Sequence, residues 1–255
     1  ALTEKYNVAG PRYTSFPTAM QFSDAVGAQD FIERVSAQVS TAPLSLYLHL
    51  PFCADICYYC ACNKKITRNR GDIDRYLACL YREMALVRKQ LGISQRVVTQ
   101  LHWGGGTPTY LDAAEMTELM LVTARHFNLT TDKSRDYAVE IDPRSVTRES
   151  IELLRGLGFN RASLGVQDFS PAVQKAINRM QPLAMVQEVV TTIRERAFGS
   201  LNFDMIYGLP EQTLDSLANT LDCVIELQPD RINYYNYAHL PERFPSQRAI
   251  DRQVL

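Results

Sequence analysis

Four cysteines lie within one stretch of ten residues, at Cys53, Cys57, Cys60 and Cys62. The first three have the spacing C-x3-C-x2-C, which is too tight for a disulfide-stapled loop and suits an iron–sulfur cluster. Three thiolates can hold three corners of a cubane and leave the fourth iron open. An open iron is useful because a small molecule can bind there and accept an electron. We therefore predict that Cys53, Cys57 and Cys60 ligate one [4Fe-4S] cluster.

Zinc and disulfides are the alternatives for clustered cysteines. Structural zinc favours a second cysteine pair or a pair of histidines further along the chain. The remaining cysteines, Cys79 and Cys223, are single and far apart, and the four histidines do not pair at a zinc spacing. A disulfide framework also fits poorly, because a chain of 255 residues can build its own core and nothing in it resembles a secretory signal. Zinc remains the main competing interpretation.

The composition is typical of a soluble enzyme of the cytoplasm. The chain is 46% hydrophobic and 22% charged, with a formal net charge of −1. That balance gives no electrostatic reason to expect nucleic acid as a partner, and the apolar runs are too short to cross a bilayer. The free cysteines indicate a reducing compartment. We expect a monomer with one substantial core and no membrane segment.

Strand-like runs alternate with helical patterns six times along the chain. Asp112 with Glu115, Thr147, Ser170 before a proline, and Thr213 mark helix starts. Strand–helix alternation predicts a parallel sheet, because each crossover needs a helix to return the chain. Six units are too few for a closed barrel, so we expect an α/β fold with an open, partial (βα)6 barrel. The predicted strands cover residues 44–50, 99–103, 137–141, 161–166, 201–206 and 231–235.

In such sheets the chemistry collects at the carboxyl ends of the strands. The candidate residues follow this rule without any appeal to known families, since each lies at or just past a predicted strand end. They are Cys53, residues 104–107, Glu140, Gln167 and Asp204.

The cysteine spacing after an apolar strand resembles the signature of the radical S-adenosylmethionine (SAM) superfamily. With Cys62 included, the string C-x3-C-x2-C-x-C resembles the oxygen-independent coproporphyrinogen III oxidase family. Further stretches resemble that family in order along the chain: NVAGPRYTSFPTA, QLHWGGGTPTYL, VEIDPR, LGVQDF, IYGLP and YNYAHLP. Haem-chaperone-like paralogues share the cysteine triplet but typically lack the fourth cysteine and the N-terminal arm, both of which are present here.

The resemblance implies a division of the chain. Residues 1–43 would form an N-terminal arm and a lead-in helix, and residues 44–240 the radical SAM partial barrel. Arg12 and Tyr13 of the arm would be porphyrin contacts. Residues 241–255 would begin a C-terminal region that looks truncated, because the oxidases continue into a helical domain that closes the substrate pocket.

The resemblance also implies roles around SAM for Glu140, Gln167, Arg179 and Asp204. Glu140 lies among apolar neighbours, and a buried carboxylate needs a partner; the alternative to a ligand is a salt bridge with Arg144 or Arg161. Arg179 would pair with the SAM carboxylate or else be a solvated charge at a helix end.

The glycine run would supply further contacts. Gly105, Gly106 and Thr107 resemble the segment that binds the methionine amino group, and glycines allow a close backbone approach. Many superfamily members have an acidic residue at the position of Thr107. Ile206 and Ala238 would be apolar neighbours of the adenosyl group.

Two tyrosines and three histidines have open interpretations. Tyr47 lies six residues before Cys53 and would share its strand face; it is a candidate catalytic and cofactor contact or an ordinary core aromatic. Tyr59 would pack over the cluster or the adenine, or only fill space. Cys62 is expected to have a local role, or to lie near substrate. His49, His102 and His239 are expected to be satisfied core histidines.

The reaction implied by the resemblance begins with reductive cleavage of SAM to a 5′-deoxyadenosyl radical. The radical would take hydrogen from a propionate of coproporphyrinogen III, and loss of carbon dioxide and an electron would leave a vinyl group. Two such reactions give protoporphyrinogen IX, with two SAM molecules and a low-potential donor such as flavodoxin. The alternatives are a haem-binding paralogue without decarboxylase activity and an electron-transfer iron–sulfur protein, against which three cluster ligands argue.

Overall fold

A computed structural model describes residue 5 and residues 21–36, 42–91 and 96–250. Arg12 and Tyr13 lie outside the described residues. Nine strands are present in the described part of the chain: β1 (Leu44–Leu50), β2 (Phe52–Cys53), β3 (Lys65–Ile66), β4 (Val97–Gly105), β5 (Asn128–Leu129), β6 (Asp136–Ile141), β7 (Arg161–Gln167), β8 (Ser200–Tyr207) and β9 (Arg231–Asn236).

At least one helix lies between each two successive strands of six or more residues, and one more precedes β1. Within the described residues these helices are α1 (Ala28–Ser36), α2 (Arg70–Leu91), α3 (Ala113–His126), α4 (Arg148–Gly156), α5 (Pro171–Ala176), α6 (Leu183–Glu195) and α7 (Leu214–Leu227). No described helix combines the length and the apolar character needed to cross a membrane.

The main sheet has the strand order β1-β4-β6-β7-β8-β9, so its strands lie side by side in the order of the chain. Every pair along this path is parallel. β1 and β9 are the two ends of the path and do not pair with each other, which makes this an open, partial (βα)6 barrel. The α/β prediction is confirmed, although β4 extends beyond both ends of the predicted run.

The strands alternate between the core and the barrel interior. In β6, Tyr137, Val139 and Ile141 are buried in the hydrophobic core that the sheet shares with the surrounding helices. Glu140, between two of them, lines a cavity instead. Successive side chains of a strand point to opposite faces. The interior face therefore carries polar groups up to the carboxyl edge of the sheet.

The predicted helix starts are confirmed. Asp112, Thr147 and Thr213 each accept a hydrogen bond from the backbone N–H three residues later, and in each case the residue at that position bonds back. These reciprocal bonds satisfy donors that the first helical turn would leave unpaired. Ser170 precedes α5 as expected, but its side chain makes no capping bond.

Candidate active site

The cysteines lie on a loop that is tied down at both ends. Phe52–Cys53 and Lys65–Ile66 pair in parallel, and the backbone N–H of Thr67 donates to the Cys53 carbonyl at 3.2 Å. Asn178 Nδ2, in the turn after α5, donates to the Ile56 carbonyl at 2.7 Å. The first two contacts join the two ends of the loop to each other, and the third joins the loop to the turn after α5, so together they hold the thiols at the carboxyl edge of the sheet.

The loop covers a cavity of about 420 Å³ at this edge. Most of the predicted site residues line the cavity, whereas Tyr47, Ile206 and Ala238 are not among its lining residues. The predicted residues that do line it are Cys53, Cys57, Tyr59, Cys60, Gly105, Gly106, Thr107, Glu140, Gln167, Arg179 and Asp204.

The donors present suit a cluster better than a single ion. In the part of the chain that the structure describes, no three histidine, cysteine or carboxylate side chains could hold one metal ion together. The ligands of a cubane need not converge on one ion, because each thiolate binds a different iron, and sulfur is the preferred donor. Cys53, Cys57 and Cys60 supply three such sulfurs to the lining of one cavity, so the residues fit a three-thiolate cluster.

Cys62 lies beside the third predicted ligand. A hydrogen bond from Cys62 is the main cause that lowers the pKa of Cys60 to about 6, and the pKa of Cys62 itself is raised. A lowered pKa favours the thiolate form, which is the form that binds iron. This contact agrees with the local role expected for Cys62, although Cys62 also lines the cavity.

The glycine turn after β4 is packed against the start of the cysteine loop. Gly106 N–H donates to the Leu50 carbonyl at 2.9 Å, and Thr107 N–H donates to the Phe52 carbonyl at 2.8 Å. A Cβ atom on Gly106 would lie 2.5 Å from the Pro51 carbonyl oxygen. Close approach of two backbone segments thus requires glycine here, whereas the sequence suggested close approach to a ligand.

Thr107 turns its hydroxyl toward a cluster ligand. Its Oγ1 lies 3.3 Å from Cys53 Sγ and donates to it. The superfamily resemblance placed Thr107 beside the methionine amino group of SAM. In this structure its described side-chain contact is with sulfur.

Glu140 is half-exposed rather than buried, with 39% of its side chain accessible. Its Oε1 lies 3.0 Å from His102 Nε2, and its Oε2 accepts from Gly105 N–H at 3.0 Å. The alternative of a salt bridge with Arg144 or Arg161 was wrong, because those arginines pair with Asp142 and Asp136. Glu140 keeps lone pairs free for a donor in the cavity.

Tyr47 is exposed, so the alternative of an ordinary core aromatic was wrong, and it is not among the residues that line the cavity. Its ring stacks on His102 at 5.4 Å, and its hydroxyl lies 3.3 Å from His49 Nδ1. The shared strand face with Cys53 was a wrong expectation, because β1 ends at Leu50 and Cys53 belongs to the separate β2–β3 pair. The expectation of core histidines was also wrong, because His49, His102 and His239 are each only partly buried. Each of them has a hydrogen-bond partner, and His102 contacts both Tyr47 and Glu140.

Arg179 is buried, with 7% of its side chain accessible, so the alternative of a solvated helix-end charge was wrong. Its Nη1 donates to Asp142 Oδ2 at 3.0 Å, its Nη2 to the Gly165 carbonyl at 2.8 Å, and its Nε to Gln181 Oε1 at 3.1 Å. Protein acceptors hold the guanidinium in place at the cavity wall.

Asp142 joins two arginines just past the end of β6. Its carboxylate pairs with Arg144 at 2.7 Å and with Arg179 at 3.0 Å. Burial would raise the pKa of Asp142, but the two guanidinium groups outweigh burial and hold that pKa below its ordinary value. No role for Asp142 was predicted from the sequence; its place after a strand end, within VEIDPR, was the available signal.

Gln167 ends β7 in the left-handed backbone region, with φ of 66°. The register with β8 shifts between Gly165 and Gln167, so the bulge turns the chain at the cavity edge. The next residue, Asp168, is fully buried and accepts hydrogen bonds from Thr220, Gln212 and the Ser170 backbone. These bonds fix the turn that carries Gln167.

Asp204, on β8, lines the cavity and accepts three hydrogen bonds from neighbouring side chains. Its Oδ1 accepts from Asn202 Nδ2 at 3.1 Å and from Asn233 Nδ2 at 2.9 Å, while its Oδ2 accepts from Ser163 Oγ at 3.0 Å. Ser163 and Tyr235 also line the cavity and were missed by sequence reasoning. Strand alternation places Ser163 two residues before Gly165 on the interior face, which could have identified it.

A small apolar cluster packs against the cysteine loop at Tyr59. Ile206 is buried with Val173, Ile177 and Leu209, and Tyr59 packs against them. Burial is the largest effect on Tyr59 and raises the pKa of its phenol well above the ordinary value. Tyr59 therefore has a packing role and also lines the cavity, whereas Ile206 supports the loop.

The segment after β9 returns to the cysteine loop. Gln247, which is buried, donates from Nε2 to the carbonyls of Tyr59 and Ala238, each at 3.1 Å. Gln247 thus links the backbone of Ala238 to the loop. His239 pairs with the Tyr237 hydroxyl at 2.8 Å.

Comparison with known proteins gives a consistent result. The model of the radical SAM superfamily matches residues 47–224. The chain is 53% identical over 255 residues to the oxygen-independent coproporphyrinogen III oxidase of Pseudomonas aeruginosa, covering 100% of this chain and 55% of that protein. It is 47% identical over 250 residues to the enzyme of the same name from Escherichia coli, covering 98% of this chain and 54% of that protein. The chain thus spans about half the length of these curated relatives.

Solved structures agree on the fold. The structure of coproporphyrinogen III oxidase from Escherichia coli, described as a radical SAM enzyme, matches with a TM-score of 0.91 at 43% identity, over 100% of this chain and 56% of that one. The radical SAM methyltransferase of Kitasatospora setae, determined with cobalamin and a [4Fe-4S] cluster bound, matches with a TM-score of 0.57 at 17% identity, over 80% of this chain and 38% of that one. The second likeness shows a shared fold alone.

Proposed function

Because this chain belongs to the radical SAM superfamily, we propose that it provides the catalytic barrel of an enzyme that oxidatively decarboxylates coproporphyrinogen III. The observation that carries the proposal is the cavity at the carboxyl edge of the sheet. It brings the C-x3-C-x2-C thiols together with the carboxylates Glu140, near the end of β6, and Asp204, within β8. The substrate is proposed from the names of the similar proteins.

Cys53, Cys57 and Cys60 would hold the cluster. When bound, the reduced cluster supplies the electron that cleaves SAM into methionine and a 5′-deoxyadenosyl radical. The loop contacts of Asn178 and Thr67 keep the thiols in position for this cluster. Positioning of this kind is the protein's main contribution when a cofactor carries the chemistry.

The two carboxylates would orient SAM. Glu140 accepts only two described hydrogen bonds and faces the cavity, so it can accept further bonds from an ammonium group or a ribose hydroxyl. Asp204 is fixed by three side-chain donors, and a fixed acceptor needs little reorganisation when a ligand binds. Both sit on rigid strands rather than on loops.

The finer expectations belong to the same proposal. They are two successive propionate decarboxylations giving protoporphyrinogen IX in haem biosynthesis, and a second SAM beside the first. They also include a low-potential donor of the flavodoxin type, a reducing cytoplasmic environment and a single-chain enzyme. For each decarboxylation, the substrate loses a hydrogen atom and carbon dioxide, and one electron leaves to an acceptor.

The test is an anaerobic turnover assay with cluster-reconstituted protein, SAM, dithionite and coproporphyrinogen III. Chromatography should find 5′-deoxyadenosine together with vinyl-bearing porphyrin. A matched variant, Cys57→Ala, should form neither product. Deoxyadenosine without vinyl product would contradict the proposed substrate or show that this chain alone is insufficient for it. Haem binding with no deoxyadenosine would favour the paralogue instead.

A further inference from the structure

The sulfur of Cys57 is approached by two cationic side chains. Arg144 Nη2 and Arg179 Nη1 each lie 3.5 Å from Cys57 Sγ and donate to it. Cys57 is itself buried, so these donors act where solvent screens them little. A predicted cluster ligand thus has a polar environment that the C-x3-C-x2-C motif does not encode.

Arg144 is held in a single orientation by Asp142. Arg144 Nη2 donates to Oδ2 at 2.7 Å, and Nε donates to Oδ1 at 3.0 Å, which is a side-on pairing of guanidinium and carboxylate. The backbone N–H of Arg144 also donates to Oδ1, at 3.0 Å. The same Nη2 that meets the carboxylate faces the sulfur, so the carboxylate orients the donor before any cluster binds.

We propose that Arg144, oriented by Asp142, donates a hydrogen bond to the Cys57 sulfur and thereby raises the reduction potential of the bound cluster. This inference rests on the cluster site of the proposed function. Reduction adds one electron, and hence one negative charge, to the cluster and its thiolates. A cationic donor at a ligand sulfur stabilises that reduced form more than the oxidised form, and hydrogen bonds to sulfur are known determinants of cluster potentials.

Arg144 is the residue to change, rather than Arg179. Arg179 also donates to Gly165 and Gln181 in the barrel wall, so its removal would leave buried acceptors unpaired. The side chain of Arg144 is 24% accessible and its described side-chain partners are Asp142 and Cys57. A change at Arg144 therefore perturbs the sulfur contact with fewer structural consequences.

The test is a redox titration of the reconstituted chain with dithionite, followed by the electron paramagnetic resonance signal of the reduced cluster. In Arg144→Gln, the ratio of reduced to oxidised cluster at a fixed potential should fall about tenfold, which is a midpoint shift of about 59 mV to more negative values. The control is Arg148→Gln, which removes the same charge from an exposed arginine paired with Glu195. Its midpoint should equal that of the wild type.

An unchanged midpoint in Arg144→Gln, or an equal shift in Arg148→Gln, would overturn the proposal. If Arg144→Gln does not fold, Arg144→Lys carries the test, because lysine cannot pair side-on with Asp142 while reaching the sulfur. It should shift the midpoint in the same direction, and no shift would overturn the proposal. If the wild-type chain takes up no cluster, both the proposed function and the role of Arg144 are refuted. If the midpoint shifts in Arg144→Gln but the turnover assay gives no vinyl product, only the proposed substrate is refuted.

Discussion

Replacing Gly106 with alanine should separate the glycine turn from the cysteine loop. The added Cβ would lie 2.5 Å from the Pro51 carbonyl oxygen, 2.6 Å from its carbon and 2.9 Å from the Phe52 oxygen, whereas ordinary contacts are 3.4–4 Å. All three atoms belong to backbone, so no side chain can rotate away. The glycine turn and the segment at Pro51 must therefore move apart by about 0.9 Å, the difference between 2.5 Å and the 3.4 Å of an ordinary contact.

The expected cost combines two effects. Overpacking of this kind costs about 1–3 kcal/mol, and the hydrogen bonds from Gly106 and Thr107 to Leu50 and Phe52 contribute about 1 kcal/mol each when weakened. We therefore expect the free energy of unfolding of Gly106→Ala to fall by about 3–5 kcal/mol. The displaced loop carries Cys53, so the variant should also retain less iron after reconstitution.

Urea denaturation of the chain measures the first effect, and iron analysis after gel filtration measures the second. Gly156→Ala is the matched control, because a Cβ there meets nothing within 4 Å and should change stability by less than about 1 kcal/mol. If Gly106→Ala unfolds within about 0.5 kcal/mol of the wild type and keeps its iron, the close packing of the two segments has no structural importance and the reasoning fails.

Three further predictions concern the ion pairs, the cysteines and the helix starts. Asp142→Asn should lower the free energy of unfolding at pH 7 by about 3 kcal/mol, since it leaves two largely buried arginines without a carboxylate. The folded-state pKa of Asp142 lies below its unfolded value, so its contribution is complete above the unfolded pKa and disappears as the pH falls through the folded one. Urea denaturation should therefore show that the difference in the free energy of unfolding between Asp142→Asn and the wild type is smaller at acid pH than at neutral pH. A difference that does not change with pH would contradict this. Cys62→Ser should keep the visible absorbance of the cluster, as should the exposed control Cys79→Ser, whereas Cys53→Ser should lose it; loss in Cys62→Ser would make Cys62 a ligand. Thr213→Ala should cost about 1 kcal/mol in thermal unfolding through its capping bond, and no change would show that the helix start is stabilised elsewhere.

Local patterns were sufficient to predict the fold because the relevant forces act over a few residues. The capping residues Asp112, Thr147 and Thr213 bond within their own first turn. Strand–helix alternation similarly predicted that the strands of the sheet are parallel. The carboxyl-edge rule then predicted that Glu140 and Asp204, far apart in sequence, would face one cavity.

The site details that sequence reasoning missed depend on where strands stop and on distant partners. Pro51 ends β1, so the alternation of side chains that includes Tyr47 does not continue to Cys53. Arg179 lies beyond α5, and its acceptors come from β7 and from Asp142 after β6. No local periodicity links these positions, and only the assembled barrel brings them together.

The central claim is that the cavity holds a cluster with one iron open to SAM. Electron paramagnetic resonance of the reduced, reconstituted chain, recorded with and without SAM, tests it most directly. We expect a cluster signal whose g-values change when SAM is added, because SAM would bind the open iron. A reduced cluster whose signal is the same with and without SAM would contradict the account.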